Sequence, residues 1–325
     1  MTGAGVHPKQ FDRLVWCGLS VCVLALAGCE QNKQRVIGVV PKATSHIFWV
    51  AVEKGARTAG QDLGVKVEWN GAASETDYAR QIQIVDSMIN RKVDGLAVAA
   101  AERKALVASV DRAMSQGIPV TVFDSGLDSE NYTSFVATDN YEGGKQAARA
   151  MGKLLGGKGK VAIVMHMPGS VSTMDRERGF REALAAEFPG ITVVAEQFGM
   201  SDRAKSRAAA ENMLTANTEI NGIFGSTEPS SVGASLAVKS RGLAGKVKVV
   251  AFDASDSLVE DLEKGAVSAI VVQDPFKIGY EAVRTLVDKL NGKTPTRRMD
   301  LPAVVIFQED AAKPENQKLL HPELK

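Results

Sequence analysis

The sequence predicts an α/β protein with two doubly wound, parallel-sheet lobes joined by a three-strand hinge. From Arg35 onward, short apolar runs alternate with amphipathic segments of helical length. The alternation occurs twice, with the stretch SFVATDN between the two series. Buried parallel strands read as nearly continuous apolar runs because helices cover both faces of their sheet. Two similar lobes are therefore expected.

The first series contains five strand-like runs: RVIGVV (35–40), VKVEW (65–69), GLAVAA (95–100), PVTVFD (119–124) and SFVAT (134–138). Two of the intervening helical segments are FWVAVEKGARTAGQDLG (48–64) and YARQIQIVDSMINRK (78–92). In the second segment apolar residues recur at spacings of three and four, as on one helix face: Ile82, Val85, Met88 and Ile89.

The second series also contains five runs: KVAIVMHM (160–167), ITVVAEQF (191–198), GIFGST (222–227), VKVVAFD (247–253) and SAIVVQD (268–274). Chain crossings between the lobes are predicted near Thr138, Gln273 and Ala303. The N-terminal lobe would then comprise 35–138 plus 274–302, and the C-terminal lobe 139–273 plus 303–312. Residues 313–325 are predicted to form a C-terminal tail. Ligands of such sheets bind at the carboxyl ends of the strands.

Residues 1–28 have the character of a secretory signal peptide. Lys9 and Arg13 precede an apolar run, Leu14 to Ala27, which is shorter than the roughly 20 residues that span a bilayer. Its ending, Leu26-Ala27-Gly28-Cys29, resembles the bacterial lipobox, so Cys29 is the predicted lipidation site and residues 29–34 a short tether. The alternative is a secretory signal with an incidental cysteine.

Composition excludes several classes of protein. The chain has 45% hydrophobic and 24% charged residues, as in globular proteins, and no long basic block that would bind nucleic acid. All three cysteines lie within the first 29 residues, which leaves no thiol for a disulfide framework or a cysteine-based metal site. The four histidines show no metal-ligand spacing, so no metal and no cofactor are expected.

Nearly every predicted strand ends in a side chain that can form hydrogen bonds. Examples are Lys42 after the first run, Asp124 at the end of the fourth, Glu228 after GIFGST and Asp253 at the end of VKVVAFD. Aromatic side chains accompany them only after the first run, at Phe48 and Trp49. Carboxylates, amides and arginine bind hydroxyl groups while flat rings stack on C–H faces, a combination that suits a small sugar or polyol.

Five segments of the chain are distinctive: FDSGLDS (123–129), FVATDNYEGG (135–144), DRERGF (175–180), VVAFDAS (249–255) and VVQDPFKIG (271–279). Each segment is modest alone, but in this order behind a lipobox they make the chain from about Arg35 to Gln308 resemble a periplasmic sugar-binding protein of the ribose-binding type, the extracytoplasmic receptor of an ABC importer. The resemblance implies the type I periplasmic binding protein fold.

The resemblance implies a set of ligand contacts. Two aromatic residues of the first loop sandwich the sugar in this family, and Phe48 and Trp49 hold those positions. The predicted ligand-binding residues are Lys42, His46, Phe48, Trp49, Asp124, Arg176, Thr227, Glu228, Asp253 and Gln273. The chain departs from the ribose pattern at Ala99, Ser125 and Thr227, so ribose itself is not predicted. Lys42, Thr44, His46 or Glu228 would supply contacts instead.

Structural alternatives exist for these side chains. Trp49 could pack the core beneath the first helix, and His46 could bond within its loop. Asp124 and Asp253 could cap turns, and Arg176 could pair with a neighbouring carboxylate. Three residues are predicted to brace the hinge rather than contact ligand: Thr138, Asp139 and Asn140.

The predicted function is that of an ABC importer's solute receptor, which binds a monosaccharide, polyol or similar sugar between closing lobes. The alternative is a sensor that presents a sugar or signalling furanoside to a membrane histidine kinase. A cytosolic repressor would need a DNA-binding helix-turn-helix, which residues 1–34 do not supply. No enzyme is expected, because Asp124 and Asp253 would need an open groove to act as a glycosidase pair. Expected partners are the sugar and a membrane permease, with a monomeric receptor held at the outer face of the cytoplasmic membrane through Cys29.

Overall fold

The computed structural model describes residues 1–5 and 34–321. The chain divides into two compact units, Met1–Gln34 and Arg35–Lys325. The apolar run of the predicted signal peptide and Cys29 lie outside the described residues, so both remain predictions. Every helix and strand given below belongs to the second unit.

The second unit alternates strands and helices, as predicted. The strands are β1 (Val36–Val40), β2 (Lys66–Trp69), β3 (Gly95–Val98), β4 (Val120–Phe123), β5 (Ser134–Thr138), β6 (Lys158–Met165), β7 (Gly190–Phe198), β8 (Ile220–Gly225), β9 (Lys248–Phe252), β10 (Ala269–Val272), β11 (Arg298–Leu301) and β12 (Val304–Phe307). The helices are α1 (Ile47–Asp62), α2 (Tyr78–Asn90), α3 (Val107–Ser115), α4 (Asn140–Leu155), α5 (Val171–Glu187), α6 (Arg203–Ala216), α7 (Glu228–Ser240), α8 (Asp256–Glu263), α9 (Pro275–Leu290) and α10 (Pro314–Leu320), with a 3-10 turn at Gln308–Asp310.

The strands form two six-stranded sheets of equivalent order. The first sheet runs β11-β5-β4-β3-β1-β2, and the second runs β12-β10-β9-β8-β6-β7. All neighbours in the first sheet are parallel, whereas in the second the edge strand β12 pairs with β10 antiparallel. We call the first sheet with α1, α2, α3 and α9 the first lobe, and the second sheet with α4 to α8 and α10 the second lobe.

Each sheet is covered on both faces by apolar side chains. In the first lobe, α1 and α9 pack on one face around Val52 and Leu286, while α2 and α3 pack on the other around Met88 and Val110. In the second lobe, α4 and α5 cover one face, and α6, α7, α8 and α10 cover the other. This double covering explains why β3, β4, β5 and β10 are buried along their whole length.

Aspartates define the start of several helices. The side chain of the residue preceding the helix accepts a bond from a backbone amide three positions on, which satisfies one unpaired donor of the first turn. This cap occurs at Asp77, Asp139, Asp202 and Asp274.

Reciprocal glycines let helices approach closely in both lobes. A Cβ on Gly55 of α1 would lie 1.9 Å from the carbonyl oxygen of Phe276, and one on Gly279 of α9 would lie 2.0 Å from that of Val52. The second lobe repeats the arrangement, because a Cβ on Gly144 of α4 would lie 2.0 Å from the carbonyl oxygen of Arg176. Only glycine permits this backbone-to-backbone contact.

The chain passes between the sheets at three places: residues 138–140, 273–275 and 302–303. The strands on either side of the last passage, β11 and β12, are not among the predicted runs. The segment predicted as a tail includes α10, whose Leu320 is buried in the second lobe. The exact lobe boundaries stay a prediction.

The observed strands end earlier than several predicted runs. Asp124 and Asp253 were placed inside strands, but both lie just past them with φ of 58° and 68°. An extended strand cannot continue through a left-handed residue, so each chain turns there and leaves the carboxylate at the sheet edge. Among the described residues, no helix has the length and apolarity needed to cross a bilayer.

Candidate ligand-binding site

A cavity lies between the two lobes at the carboxyl ends of their strands. It encloses about 380 Å³ of space, part of it open to solvent. Its lining residues are Lys42, His46, Phe48, Trp49, Glu75, Asp124, His166, Ser172, Thr173, Arg176, Thr227, Glu228, Pro229, Asp253 and Gln273. All ten residues predicted as ligand-binding are among them. The role of each as a ligand contact stays a prediction.

In the first lobe, Asp124 and Lys42 form a buried ion pair. Lys42 follows β1, and its Nζ lies 3.0 Å from Oδ2 of Asp124. The same ammonium donates to the hydroxyls of Ser170 (3.1 Å) and Ser172 (3.0 Å), which flank the start of α5 in the second lobe. Lys42 therefore joins the lobes as well as lining the cavity.

In the second lobe, Asp253 is held by amide donors. Gln273 Nε2 donates to its Oδ1 at 2.6 Å, and the backbone amide of Glu228 donates to its Oδ2 at 3.2 Å. The Nη1 of Arg176 lies farther away, 3.9 Å from Oδ2 of Asp253. Burial raises the pKa of Asp253 above the usual aspartate range, although Arg176 and Gln273 oppose the change.

Arg176 is fixed by groups other than its helix neighbours. Its Nε donates to Asn140 Oδ1 at 2.8 Å, and its Nη1 donates to the backbone carbonyl of Ser226 at 3.1 Å. Its guanidinium lies over the ring of Phe252, 3.9 Å from the centroid. These contacts hold the arginine at the cavity wall, and the alternative pairing with an adjacent carboxylate is not observed.

The two aromatic residues pack against each other edge to face. Their ring centroids are 4.9 Å apart and their planes are inclined by 85°, so in this conformation no ring fits between them. Trp49 is only 3% exposed and also packs against Phe123 in the first-lobe core. Trp49 thus packs in the core of the first lobe and also lines the cavity.

Other predicted residues bring polar atoms to the wall of the cavity. His46 Nε2 lies 3.2 Å from Ser201 Oγ on the opposite lobe. Glu228, at the start of α7, is buried and ion-paired with the guanidinium of Arg203. Thr227 is 7% exposed and has a hydroxyl 3.1 Å from that of Ser230.

The predicted hinge residues lie where the chain leaves the first sheet. Thr138 ends β5 and its Oγ1 donates to Gln273 Oε1 at 2.5 Å, which links two of the three interlobe passages. Asp139 caps α4, and Asn140 accepts the bond from Arg176. The amide of Asn140 also donates to the carbonyl of Thr138 at 3.0 Å.

Two of the positions that depart from the ribose pattern take part in hydrogen bonds within the protein. Ala99 is fully buried, and its carbonyl accepts a bond from Gln81 Nε2 at 2.8 Å. Ser125 accepts a bond from the backbone amide of Ser172 at 3.2 Å, across the lobes.

Sequence reasoning missed five lining residues: Glu75, His166, Ser172, Thr173 and Pro229. His166 was placed inside a strand, yet it directly follows β6 and so occupies a strand end like the predicted residues. Glu75 lies in the loop after β2, and its sequence position gives no strand-end signal because five residues separate it from the strand. Within the described part of the chain, no group of three or more metal-ligating side chains occurs.

A family profile described as "Periplasmic binding protein domain" matches residues 37–294. The D-allose-binding periplasmic protein of Escherichia coli (strain K12) is 32% identical over 279 residues, 83% of this chain and 88% of that protein. The D-ribose/D-allose-binding protein of Pseudomonas aeruginosa is 30% identical and is covered over 89% of its length, against 85% of this chain.

Solved structures of solute-binding proteins are also similar to this chain. A carbohydrate transporter solute-binding protein from Agrobacterium radiobacter, in complex with D-arabinose, superposes with a TM-score of 0.86 at 32% identity, covering 89% of this chain and 99% of that one. An ABC transporter solute-binding protein from Agrobacterium vitis with bound D-fucose gives a TM-score of 0.84 at 33% identity, over 88% and 99%. The chain belongs to the periplasmic binding protein family.

Proposed function

We propose that this protein is the extracytoplasmic receptor of an ABC sugar importer and binds one monosaccharide or polyol between its lobes. The observation that carries the proposal is the convergence of polar groups from both lobes on one cavity. Solute bound there contacts Asp124 on one side and Asp253 on the other, so it favours the closed arrangement by contacts that only this arrangement offers. The sugar-binding relatives and neighbours support the same conclusion.

The charge of the cavity favours an uncharged solute. Each lining carboxylate in the described residues has a basic partner: Lys42 for Asp124, His166 for Glu75, Arg176 for Asp253 and Arg203 for Glu228. A carboxylate or phosphate on the ligand would have to compete with these existing pairs. Neutral hydroxyls instead add to them as acceptors and donors.

A thermal-unfolding screen tests this function. The full chain is heated with D-allose, D-ribose, D-arabinose, D-fucose and simple polyols, and with glucuronate and glucosamine as charged controls. A bound sugar at 100 times its Kd should add about 2.7 kcal/mol to the free energy of unfolding. Stabilisation by the charged controls alone would contradict the proposal, as would the absence of stabilisation by any neutral compound.

The bound sugar is released unchanged. Relatives in the family are named as binding proteins, and the paired aspartates are committed to neighbouring basic and amide groups. NMR spectra of the sugar after prolonged incubation should show the starting compound only. A new product would identify an enzyme.

The receptor is anchored as a monomer through lipid on Cys29, after removal of residues 1–28. The support is the LAGC sequence and the apolar run before it. Replacement by Cys29→Ser should move the protein from the membrane fraction to the soluble fraction and abolish incorporation of labelled fatty acid. Light scattering of the released protein should give the mass of one chain. Membrane retention of the serine variant would exclude this anchor.

A further inference from the structure

The cavity contains an ion pair that joins the two lobes. Glu75, in the first-lobe loop between β2 and α2, places Oε2 2.8 Å from Nε2 of His166, which follows β6 of the second lobe. The side chains are only 6% and 3% exposed. A contact this short and buried exists only while the lobes are together.

Each member of the pair is held by its own lobe. The indole Nε1 of Trp49 donates to Glu75 Oε1 at 3.0 Å, so both carboxylate oxygens are engaged. On the other side, Thr227 Oγ1 lies 3.4 Å from His166 Nδ1, and the His166 backbone amide donates to Glu177 Oε1 at 3.0 Å. The two groups are therefore already oriented when the lobes meet.

The electrostatic surroundings keep the carboxylate ionised. Burial opposes ionisation of Glu75, but the charge and hydrogen bond of His166, with Lys42 and His46 nearby, hold its pKa below the usual glutamate range. Opening the lobes would separate this carboxylate from His166. The pair thus gives the closed form an attraction that does not depend on solute.

Neighbouring interlobe contacts are of another kind. The hydroxyls of Ser170 and Ser172 accept from Lys42, and the Arg103 backbone amide donates to the carbonyl of Gly169 at 2.9 Å. In these contacts at least one partner is neutral. Breaking a buried charged pair by removing one partner costs more than breaking such a bond.

We propose that Glu75 and His166 form an interlobe clasp, a pair of positioning residues that raises the closed population and so sets the affinity for every solute. The proposal rests on the receptor function proposed above. When only a fraction of the protein is competent, the apparent Kd is the intrinsic Kd divided by that fraction. Loss of the clasp should therefore weaken all sugars by the same factor, whereas loss of a direct contact would change the preference between sugars.

The first test is a double-mutant cycle with Glu75→Ala, His166→Ala and the double variant, titrated with D-allose, D-ribose and D-arabinose. Each single variant should bind every sugar that the wild type binds roughly tenfold more weakly, and the double variant should bind no more weakly than the worse single variant. Glu75→Gln, which can still accept from Trp49, should recover part of the loss. Losses that multiply in the double variant, or that differ between sugars, would overturn the clasp.

The second test needs no sugar, so it separates the clasp from the receptor function. Solution scattering should give a larger radius of gyration for unliganded His166→Ala than for wild type. In a Trp16→Phe/Trp69→Phe background, the emission of Trp49 should shift to longer wavelength in the same variant, as the indole gains access to water. Equal scattering and emission in the two proteins would overturn the proposal.

A matched control tests for general destabilisation. Thr121 and Thr285 share a buried hydrogen bond of 2.9 Å within the first lobe. Thr121→Val should leave the radius of gyration, Trp49 emission and sugar affinity unchanged. A wild-type protein that binds none of the sugars would reject the receptor function, and the scattering and emission results would still decide the clasp.

Discussion

The two lobes place an aspartate at equivalent points with the same backbone geometry. Asp124 follows β4 and Asp253 follows β9, which occupy the same position in their sheets. Both residues have positive φ, and each backbone amide donates a 2.9 Å bond to the neighbouring strand, to Val136 and to Val271. Aspartate is among the few residues that tolerate this conformation.

The partners of the two aspartates differ. Asp124 faces a single ammonium, Lys42, which also bonds to the second lobe. Asp253 faces an amide, a backbone N–H and a more distant guanidinium. The fold repeats the turn that aims the carboxylate, while the residues around it determine what the carboxylate can bind. This difference makes the two walls of the cavity chemically unlike.

The largest expected effect is a difference in sugar affinity between alanine variants of the two cavity walls. Asp253→Ala removes the acceptor of Gln273 and of the Glu228 amide, whereas Asp124→Ala leaves Lys42 its two serine partners. With charge-assisted bonds worth about 1.5–3 kcal/mol each, Asp253→Ala should weaken sugar binding at least about 100-fold and Asp124→Ala about tenfold.

Isothermal titration with the best sugar from the screen measures both losses. Asp77→Ala, which removes the cap of α2, is the control and should bind sugar normally. Equal losses at positions 124 and 253 would show that their different partners do not matter for affinity.

An intermediate effect is expected in the pH dependence of binding. Because the pKa of Asp253 is raised, this carboxylate takes up its proton at a pH above the value of about 3.9 that is usual for aspartate. Affinity should fall as the solution is acidified through that raised pKa. In Asp253→Asn, binding should be weaker at neutral pH and should lose less on acidification.

The raised pKa of Asp253 makes the stability of the fold depend on pH in the opposite direction from sugar affinity. Since the folded-state pKa lies above the unfolded one, the contribution of Asp253 to the free energy of unfolding is complete below the unfolded pKa and is lost as pH rises through the folded pKa. Titrations of affinity and of urea unfolding from neutral to acidic pH measure both trends. An affinity that falls equally in the wild type and in Asp253→Asn would show that protonation of Asp253 does not control binding.

The smallest expected effect concerns the shared turn. At both positions the glycine variant should be more stable than the alanine variant by about 1 kcal/mol, because alanine carries a Cβ into the left-handed region. Urea unfolding of Asp124→Gly, Asp124→Ala and the matching pair at 253 measures this. A difference at only one position would mean that the turns are not equally strained.

Much of this architecture could be predicted from the sequence. Apolar runs identified ten of the twelve strands, because strands covered on both faces have few polar residues. The missed strands, β11 and β12, are edge strands with polar or exposed residues such as Arg298, Asp300 and Val304. Their pairing depends on the neighbouring strands rather than on their own composition.

The cavity residues could be predicted by the same reasoning wherever a residue lies within two positions of a strand end. Lys42, Asp124 and Asp253 are of this kind. Glu75 is different, because the path of its loop brings it to the cavity. Its position becomes apparent only from its contact with His166 on the opposite lobe. The perpendicular arrangement of Phe48 and Trp49 likewise depends on side-chain packing, which sequence spacing does not specify.

The glycine contacts between helices extend the determinants of recognition beyond the cavity. Gly144 contacts the backbone of Arg176 itself, and Gly55 lies on the helix whose first turn carries Phe48 and Trp49. A single methyl group added at either glycine would shift a recognition side chain without altering any group that meets solute. Substitutions in the outer layer of helices could thus change which sugars this receptor prefers. A comparison of cavity residues alone would not detect such changes.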